Sequence, residues 1–223
     1  PSYITSLKDK GKQDLSTKLG KIKADIDTVK EIVDTLKRMA WQGGFGGSID
    51  RRLVEGILQD ERYSESFRSV ALWLYYGAES AFLQDANSLV IKPERLLVIL
   101  RHLRDCFPWV DRVTSYARSH TIARISDDNL RRMAEAGLSR IHIGMESGSD
   151  KVLKMVKKGV DKKTHILAGK KVKRAGMELS EYIMPGLGGR ALSRDHALES
   201  ADALNQINPD FIRLRTLALP NHV

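Results

Sequence analysis

Residues 139–149, Ser-Arg-Ile-His-Ile-Gly-Met-Glu-Ser-Gly-Ser, decide how this chain is read. Ile141 and Ile143 alternate with His142, so Arg140–Gly144 predicts a short strand. An acid, two hydroxyls and a glycine follow at once, and Asp150–Lys158 then reads as a helix. In parallel α/β folds the turn after a strand faces the ligand crevice. Glu146 therefore stands where a small polar ligand would be held. The other reading is structural: Glu146 and Ser147 would cap the helix that follows, where an acid is favoured.

The same rhythm recurs on both sides. Ser80–Leu83, Asp111–Ala117, Glu178–Met184 and Phe211–Leu217 are the other expected strands. Pro93 opens a helix at the position that tolerates proline, with Leu96, Leu97, Leu100 and Leu103 inward. Ser126 caps a helix holding Leu130 and Met133, and Gly137 ends it. Lys162–Arg174 is a helix stopped by Gly176, and Ser193 caps a last one with Leu198, Ala201, Leu204 and Ile207 inward. Strand and helix alternate at a spacing of about 30 residues, which implies a parallel sheet with right-handed crossovers. Five units are too few to close an eight-stranded barrel. An open, curved partial barrel or a doubly wound sheet remains.

Before this sheet, Pro1–Thr17 is polar and reads as a loop. Ile22, Ile26, Val29, Ile32, Val33, Leu36 and Met39 then place one apolar face on a helix over Lys18–Met39. The glycines of Gly43–Gly47 stop it and mark a mobile loop. Helical segments at 50–59 and 64–76 follow, capped by Ser48 or Asp50 and by Ser64. Residues 41–78 are thus expected to be a helical insertion or lid in a core spanning 1–223. The chain opens on Pro1 and closes just after a strand, so we expect it to be part of a longer protein.

Composition sets outer bounds. Of 223 residues, 42% are hydrophobic and 29% charged, as in ordinary globular proteins. Val70–Tyr76 is the apolar-rich run, far short of the roughly 20 residues that cross a bilayer. Cys106 is the single cysteine, so an internal disulfide is excluded and the cytoplasm is expected. The formal charge is +9, and Lys151–Arg174 holds ten Lys or Arg against Asp161 alone. That run is read as a solvated helix face, or else as a surface for RNA or another polyanion. No aromatic interleaves it to stack bases.

The five strand exits are Gln84-Asp85-Ala86-Asn87, Tyr116-Ala117-Arg118-Ser119, Glu146-Ser147-Gly148-Ser149, Pro185-Gly186-Leu187-Gly188-Gly189 and Arg213–Leu217. Acids pair with an ammonium or ribose hydroxyls, arginine pairs with a carboxylate, and glycine bares the main chain to a ring. Such a set suits a small ligand that carries both charges. A phosphate loop, a Gly-x-Ser-x-Gly elbow and a His-Glu-x-x-His pair are all missing from the sequence. An aldolase-type barrel needs a strand-exit lysine, which these motifs lack. His142 is expected as an interior or lumen residue, and Cys106 as a buried structural thiol.

Taken together, Gly144-Met145-Glu146-Ser147-Gly148-Ser149-Asp150, Phe82–Leu89, Thr114–Arg118, Ile183–Gly189 and Asn208–Leu217 resemble strand exits of the radical S-adenosylmethionine enzymes. The likeness is to an uncharacterised subgroup near the methylthiotransferase and elongator-type branch. It covers roughly residues 79–219 and more loosely 1–40. It implies a partial (βα)6 TIM-like barrel with outer helices, the first strand missing or disordered here. It also implies S-adenosylmethionine and a [4Fe-4S] cluster as cofactors, and an electron donor as partner. The family's three cysteines, spaced Cys-x-x-x-Cys-x-x-Cys, are absent, and one thiolate cannot replace them. The chain alone is therefore expected to be inactive.

By the same resemblance, Gln84, Asp85 and Asn87 would meet the methionine amino group, although the usual Gly-Gly-Glu pattern is altered. Ser115 and Arg118 would face the methionine or ribose part. Glu146, with Ser147 beside it, would bind ribose hydroxyls or the amino group. Pro185 and Gly186 would flank adenine. Arg213 and Arg215 share one sheet face, and one of them would contact the ligand. The implied reaction is reductive cleavage of S-adenosylmethionine to a 5′-deoxyadenosyl radical that abstracts a substrate hydrogen.

Overall fold

The structure is a computed structural model that describes residues 2–44, 47–84 and 87–217, with side chains from residue 20 onward. The chain divides into two compact units, Pro1–Ser80 with Val98–Asp111, and Ala81–Leu97 with Arg112–Val223.

The first unit is helical. Helix α1 (Ser2–Gln42) runs through the segment expected to be a loop. Gly11 is the one strong helix breaker between Ser2 and Thr17, and a single glycine costs a helix only about 1 kcal/mol. The expected stop holds, since the helix ends at Gln42, ahead of the glycines. Helix α2 (Arg51–Gln59) is capped by Asp50 and α3 (Glu65–Tyr75) by Ser64, each accepting a main-chain N–H at its third helical residue. Helix α3 packs on both α1 and α2. Val33, Leu36, Ala40, Val54, Ile57 and Ala71 are buried, as are Leu100 and Leu103 of α4 (Pro93–Cys106). A fully buried leucine contributes about 1.5–3 kcal/mol. Among the described residues no helix is long and apolar enough to cross a membrane.

The second unit carries the sheet. Its strands are β1 (Ser80–Leu83), β2 (Arg112–Tyr116), β3 (Leu138–Glu146), β4 (Glu178–Ile183) and β5 (Phe211–Leu214). They lie in the order β1-β2-β3-β4-β5, and the pairs from β2 to β5 are parallel. A doubly wound sheet reverses its strand order at a switch point. This sheet never reverses, so it is wound in one direction only, as a partial barrel is. Five parallel strands with helices around them give a partial TIM-like barrel.

Helices α6 (Asp127–Glu135), α7 (Asp150–Met155), α8 (Lys162–Arg174) and α9 (Ser193–Ile207) follow the expected order. Ser126 caps α6. Ser193 is the first residue of α9 rather than its cap, and Leu192 at the cap makes no side-chain bond. Two elements were not foreseen, a 3-10 turn at Ser88–Val90 and α5 (Ser119–Arg124). Both are about one or two turns long, too short for a helical period to register. On β3 and β4, Ile141, Ile143, Met145 and Leu179 are buried on one face. His142, Gly144 and Tyr182 alternate with them and face the other way.

Candidate functional site

Over the C-terminal ends of the strands the second unit holds an open cavity of about 1000 Å³. All five strands reach it, through Gln84 after β1, Tyr116 and Arg118 at β2, His142, Gly144 and Glu146 on β3, Tyr182 and Met184 at β4, and Arg215 after β5. Ser119, His120 and Arg124 of α5, the α7–α8 loop at 156–160 and His165 of α8 complete the wall.

Four strands each give one ring to a layer at this end of the sheet. Phe82 stands 5.0 Å from Tyr116 and 5.9 Å from His142, ring centre to ring centre. His142 lies 5.6 Å from Tyr116 and 6.1 Å from Tyr182. From β5 and just beyond it, the guanidinium groups of Arg213 and Arg215 sit 5.9 and 4.8 Å from the Tyr182 ring centre. Barrel interiors are likewise filled by layers of side chains drawn from several strands. Burial, with Arg213 and Arg140 nearby, pushes the His142 pKa down to about 4, so its ring is neutral near pH 7. Its Nδ1 is buried without a partner, as is Ser180 Oγ on the paired position of β4.

Among the described residues, Glu146 is the one carboxylate in the cavity wall. The β3–β4 register shifts between Gly144 and Glu146, and Glu146 adopts φ 63°. A left-handed residue other than glycine costs about 1–2 kcal/mol, and a bulge re-aims the side chain that follows it. Here the glutamate folds back over Gly144, where a Cβ would strike its Oε1. Its Oε1 accepts from Lys158 Nζ at 3.2 Å. Arg118, Arg124, Lys157, Lys158 and Arg215 line the same wall, so its described residues carry a surplus of positive charge.

The remaining expected site residues divide by position. Arg118 and Arg215 line the cavity with Gln84 and Glu146. Asp85 lies outside the described residues. Asn87, Ser115, Ser147, Pro185, Gly186 and Arg213 are not in the wall. Asn87 Oδ1 accepts the Arg118 N–H and its Nδ2 donates to Thr121 Oγ1, both at 3.0 Å, which braces the β2 exit. Ser115 is fully buried, and its hydroxyl donates to the Tyr116 carbonyl. Ser147 accepts the Ser149 N–H at 3.0 Å and pairs with His196 Nδ1 at 2.8 Å. The cap position of α7 is Ser149, which makes no side-chain cap bond, so neither Glu146 nor Ser147 caps that helix as the structural alternative expected. Sequence reasoning placed Tyr116 at a strand exit without giving it a role, and it missed Tyr182 and His165 as cavity residues. The usable signal for the tyrosines was a ring on each of four successive strands, at Phe82, Tyr116, His142 and Tyr182. His165 comes from a helix, and its Nδ1 bonds the Ser119 hydroxyl at 2.7 Å.

The basic run is largely spent within the fold. Lys151 pairs with Asp195, Lys158 with Glu146, Lys162 with Glu199 and Asp202, Lys171 and Arg174 with Asp127, and Lys173 with Asp210. Lys171 also donates to the carbonyls of Ala123 and Ile125 at the end of α5, where a cation is favoured.

A sequence model of the Radical SAM superfamily matches residues 65–201, more than half of the chain. The chain belongs to the radical SAM superfamily. Members of that family use S-adenosylmethionine and a [4Fe-4S] cluster. The tRNA uridine(34) acetyltransferase of Methanocaldococcus infernus is 28% identical over 89 residues, covering 39% of this chain and 16% of that protein. The present chain thus spans about a sixth of that curated relative. The solved archaeal Methanocaldococcus infernus Elp3 with N-terminus deletion (1-46) aligns with a TM-score of 0.51 at 15% identity, over 65% of this chain and 38% of that one. Methylornithine synthase (PylB) gives 0.46 at 14% identity, over 57% and 35%. At these identities the solved structures speak for the fold alone.

The two family cofactors fit these residues unequally. A cluster is held by several thiolates, and Cys106 is the one cysteine among the 223 residues. Cluster ligation therefore does not fit this chain. An adenosyl amino acid does fit the cavity. Glu146 and the arginines offer both signs of charge, the rings of Tyr116 and Tyr182 offer apolar faces, and the orphaned His142 Nδ1 offers a polar partner.

Proposed function

We propose that this chain is the S-adenosylmethionine-binding part of a radical SAM enzyme, with the cavity above the five strand ends as the binding site. The observation that carries the reading is the convergence of Glu146, Arg118 and Arg215 on one cavity within a family-matched barrel. When bound, S-adenosylmethionine supplies the 5′-deoxyadenosyl group for radical chemistry. The work left to this chain is binding and orientation. Arg215 would pair with the ligand carboxylate, and Glu146 would accept from its ammonium or ribose hydroxyls. Tyr116 and Tyr182 would exclude water around the adenosyl group. Lys158 holds the Glu146 carboxylate in place until a ligand donor shares it.

Calorimetric titration of the chain with S-adenosylmethionine tests this. Arg215→Ala and Glu146→Gln are each expected to weaken binding about 10- to 100-fold, the loss of one charge-assisted hydrogen bond. Absent binding to the wild-type chain, or wild-type affinity in both variants, would reject the site.

The substrate class follows from the surplus charge. Arg118, Arg124 and Lys157 are exposed at the cavity and meet no acid among the described residues. They favour an anionic substrate, and the relative named as a tRNA acetyltransferase points to RNA. Binding of a single-stranded or stem-loop RNA should then fall steeply with salt. The triple change Arg118→Ala, Arg124→Ala, Lys157→Ala should flatten that slope by about 2–3. Equal slopes before and after the changes would refute an RNA-binding mouth.

A further inference from the structure

In the first unit three ligand-type side chains meet. His102 and Cys106 stand four residues apart on α4 and so share a helix face. Asp27 reaches the same point from α1. His102 Nε2 lies 2.7 Å from Asp27 Oδ1, Cys106 Sγ lies 3.8 Å from His102 Nε2, and Cys106 Sγ lies 4.0 Å from Asp27 Oδ1. All three donor atoms fall within 4.8 Å of one another.

The trio has the composition of a Cys-His-Asp catalytic relay but not its geometry. In a relay the imidazole uses one nitrogen for the nucleophile and the other for the acid. Here one and the same nitrogen, Nε2, faces both the thiol and the carboxylate. Donor atoms that all aim at one point are arranged for a shared cation. A tetrahedral zinc ion with ordinary bond lengths would set sulfur, nitrogen and oxygen donors about 3.3–3.6 Å apart. The three observed separations bracket that range, so opening the His102–Asp27 pair by about 0.6 Å and closing the two sulfur pairs by about 0.2–0.4 Å would seat the ion.

We propose that Asp27, His102 and Cys106 form a divalent-metal site of the zinc type, with three protein ligands and a fourth position open to solvent. The donor set of thiolate, imidazole and carboxylate suits zinc rather than calcium or magnesium, which take oxygen ligands. A thiolate and a carboxylate together neutralise a divalent ion. Lys30 of α1, whose charge reaches Cys106, is already engaged by Asp34 at 3.0 Å. The side chains of Asp27 and His102 are 54% and 21% exposed, which leaves a path for the ion and room for a water or an exogenous ligand. Without metal, burial and the Asp27 charge push the Cys106 thiol up. A bound cation reverses that balance and deprotonates the sulfur. The site is separate in chemistry from an iron–sulfur cluster, since it uses a single thiolate.

Titration of the metal-free full chain with Co(II) reads the site directly. One equivalent should produce a thiolate-to-cobalt charge-transfer band in the near ultraviolet and the visible bands of a tetrahedral ion. Cys106→Ser should abolish the charge-transfer band. His102→Ala and Asp27→Asn should each weaken binding about 100-fold or more, beyond the 10- to 100-fold that outer partners of a metal site contribute. Asp105→Asn, beside the cysteine but outside the trio, should leave binding unchanged. A second reading uses only the wild-type chain: zinc should slow the reaction of Cys106 with an aromatic disulfide reagent, and a chelator should restore it. No charge-transfer band, a band indifferent to His102→Ala, or a thiol that zinc does not protect would each overturn the proposal.

Discussion

Glu181→Gln is expected to stabilise this chain at neutral and alkaline pH while leaving its stability in acid nearly unchanged. Glu181 lies on β4, in register with Ile143 and alternating with the cavity residue Tyr182. It is fully buried, and neither carboxyl oxygen has a hydrogen-bond partner. Burial holds its pKa well above the ordinary 4.5, the Glu146 charge raises it further, and Lys158 partly offsets both. The unfolded chain releases this proton from about pH 4.5 upward, whereas the folded chain keeps it. Stability therefore falls by about 1.4 kcal/mol for each pH unit between the unfolded and the folded pKa. Glutamine has no proton to release, so the slope vanishes and the gain over the wild-type chain grows as the pH rises above 4.5.

His165 supplies the opposite slope in the same series. Burial, with Lys158 nearby, lowers its pKa from 6.5 to about 4. Its stabilisation is complete above pH 6.5 and is lost as pH falls toward 4, because the unfolded imidazole takes up a proton that the folded one refuses. Denaturant unfolding at a series of pH values should show the wild-type chain losing stability on both sides. Glu181→Gln should lose it on the acid side alone. Parallel curves for the two proteins above pH 5 would mean that Glu181 is ionised in the fold.

The second large effect is expected at Gly148, just past β3. A Cβ there would overlap the Glu199 carbonyl oxygen and come within 2.7 Å of the Glu199 carbonyl carbon and Ser200 Cα. These are backbone atoms of α9 and cannot rotate away. The Gly148 N–H donates to Ser200 Oγ at 2.8 Å, a buried bond that the same displacement would break. Gly148→Ala should cost about 3 kcal/mol, at the upper end of overpacking, and lower the melting temperature by about 6–12 °C. Because Gly148 lies two residues beyond Glu146, affinity for S-adenosylmethionine should fall with stability. Gly56, inside α2 with nothing within 4 Å of an added Cβ, is the contrast. Gly56→Ala should stabilise the helix by about 1 kcal/mol. Equal thermal shifts for the two variants would sink the close-packing argument for Gly148.

Much of the barrel was legible without coordinates. Alternation at Ile141-His142-Ile143 and the helix stops at Gly137 and Gly176 depend on neighbours a few residues away. Such local signals marked the right strands and helices to within a residue or two at most ends. The polar N-terminal segment was misread because polarity resembles a loop, although little in it breaks a helix. Glu146, Arg118 and Arg215 were foreseen at strand ends because every such end faces the same side of a parallel sheet. Asn87 and Ser147 were foreseen in the same way. Their bonds to Arg118, Thr121, Ser149 and His196 depend on contacts of local geometry and of residues up to 49 positions away.

By itself the sequence determined the order and type of the sheet elements and the family, because periodicity, caps and strand-exit motifs are written in consecutive residues. Tertiary structure alone decided which polar residues face the cavity and which six of the ten basic residues in Lys151–Arg174 are neutralised by acids elsewhere. It also brought Asp27 to His102 across 75 positions. The reason is physical: electrostatic pairing and metal-type convergence act through space over a few ångströms. Sequence distance carries no measure of that separation until the chain has packed.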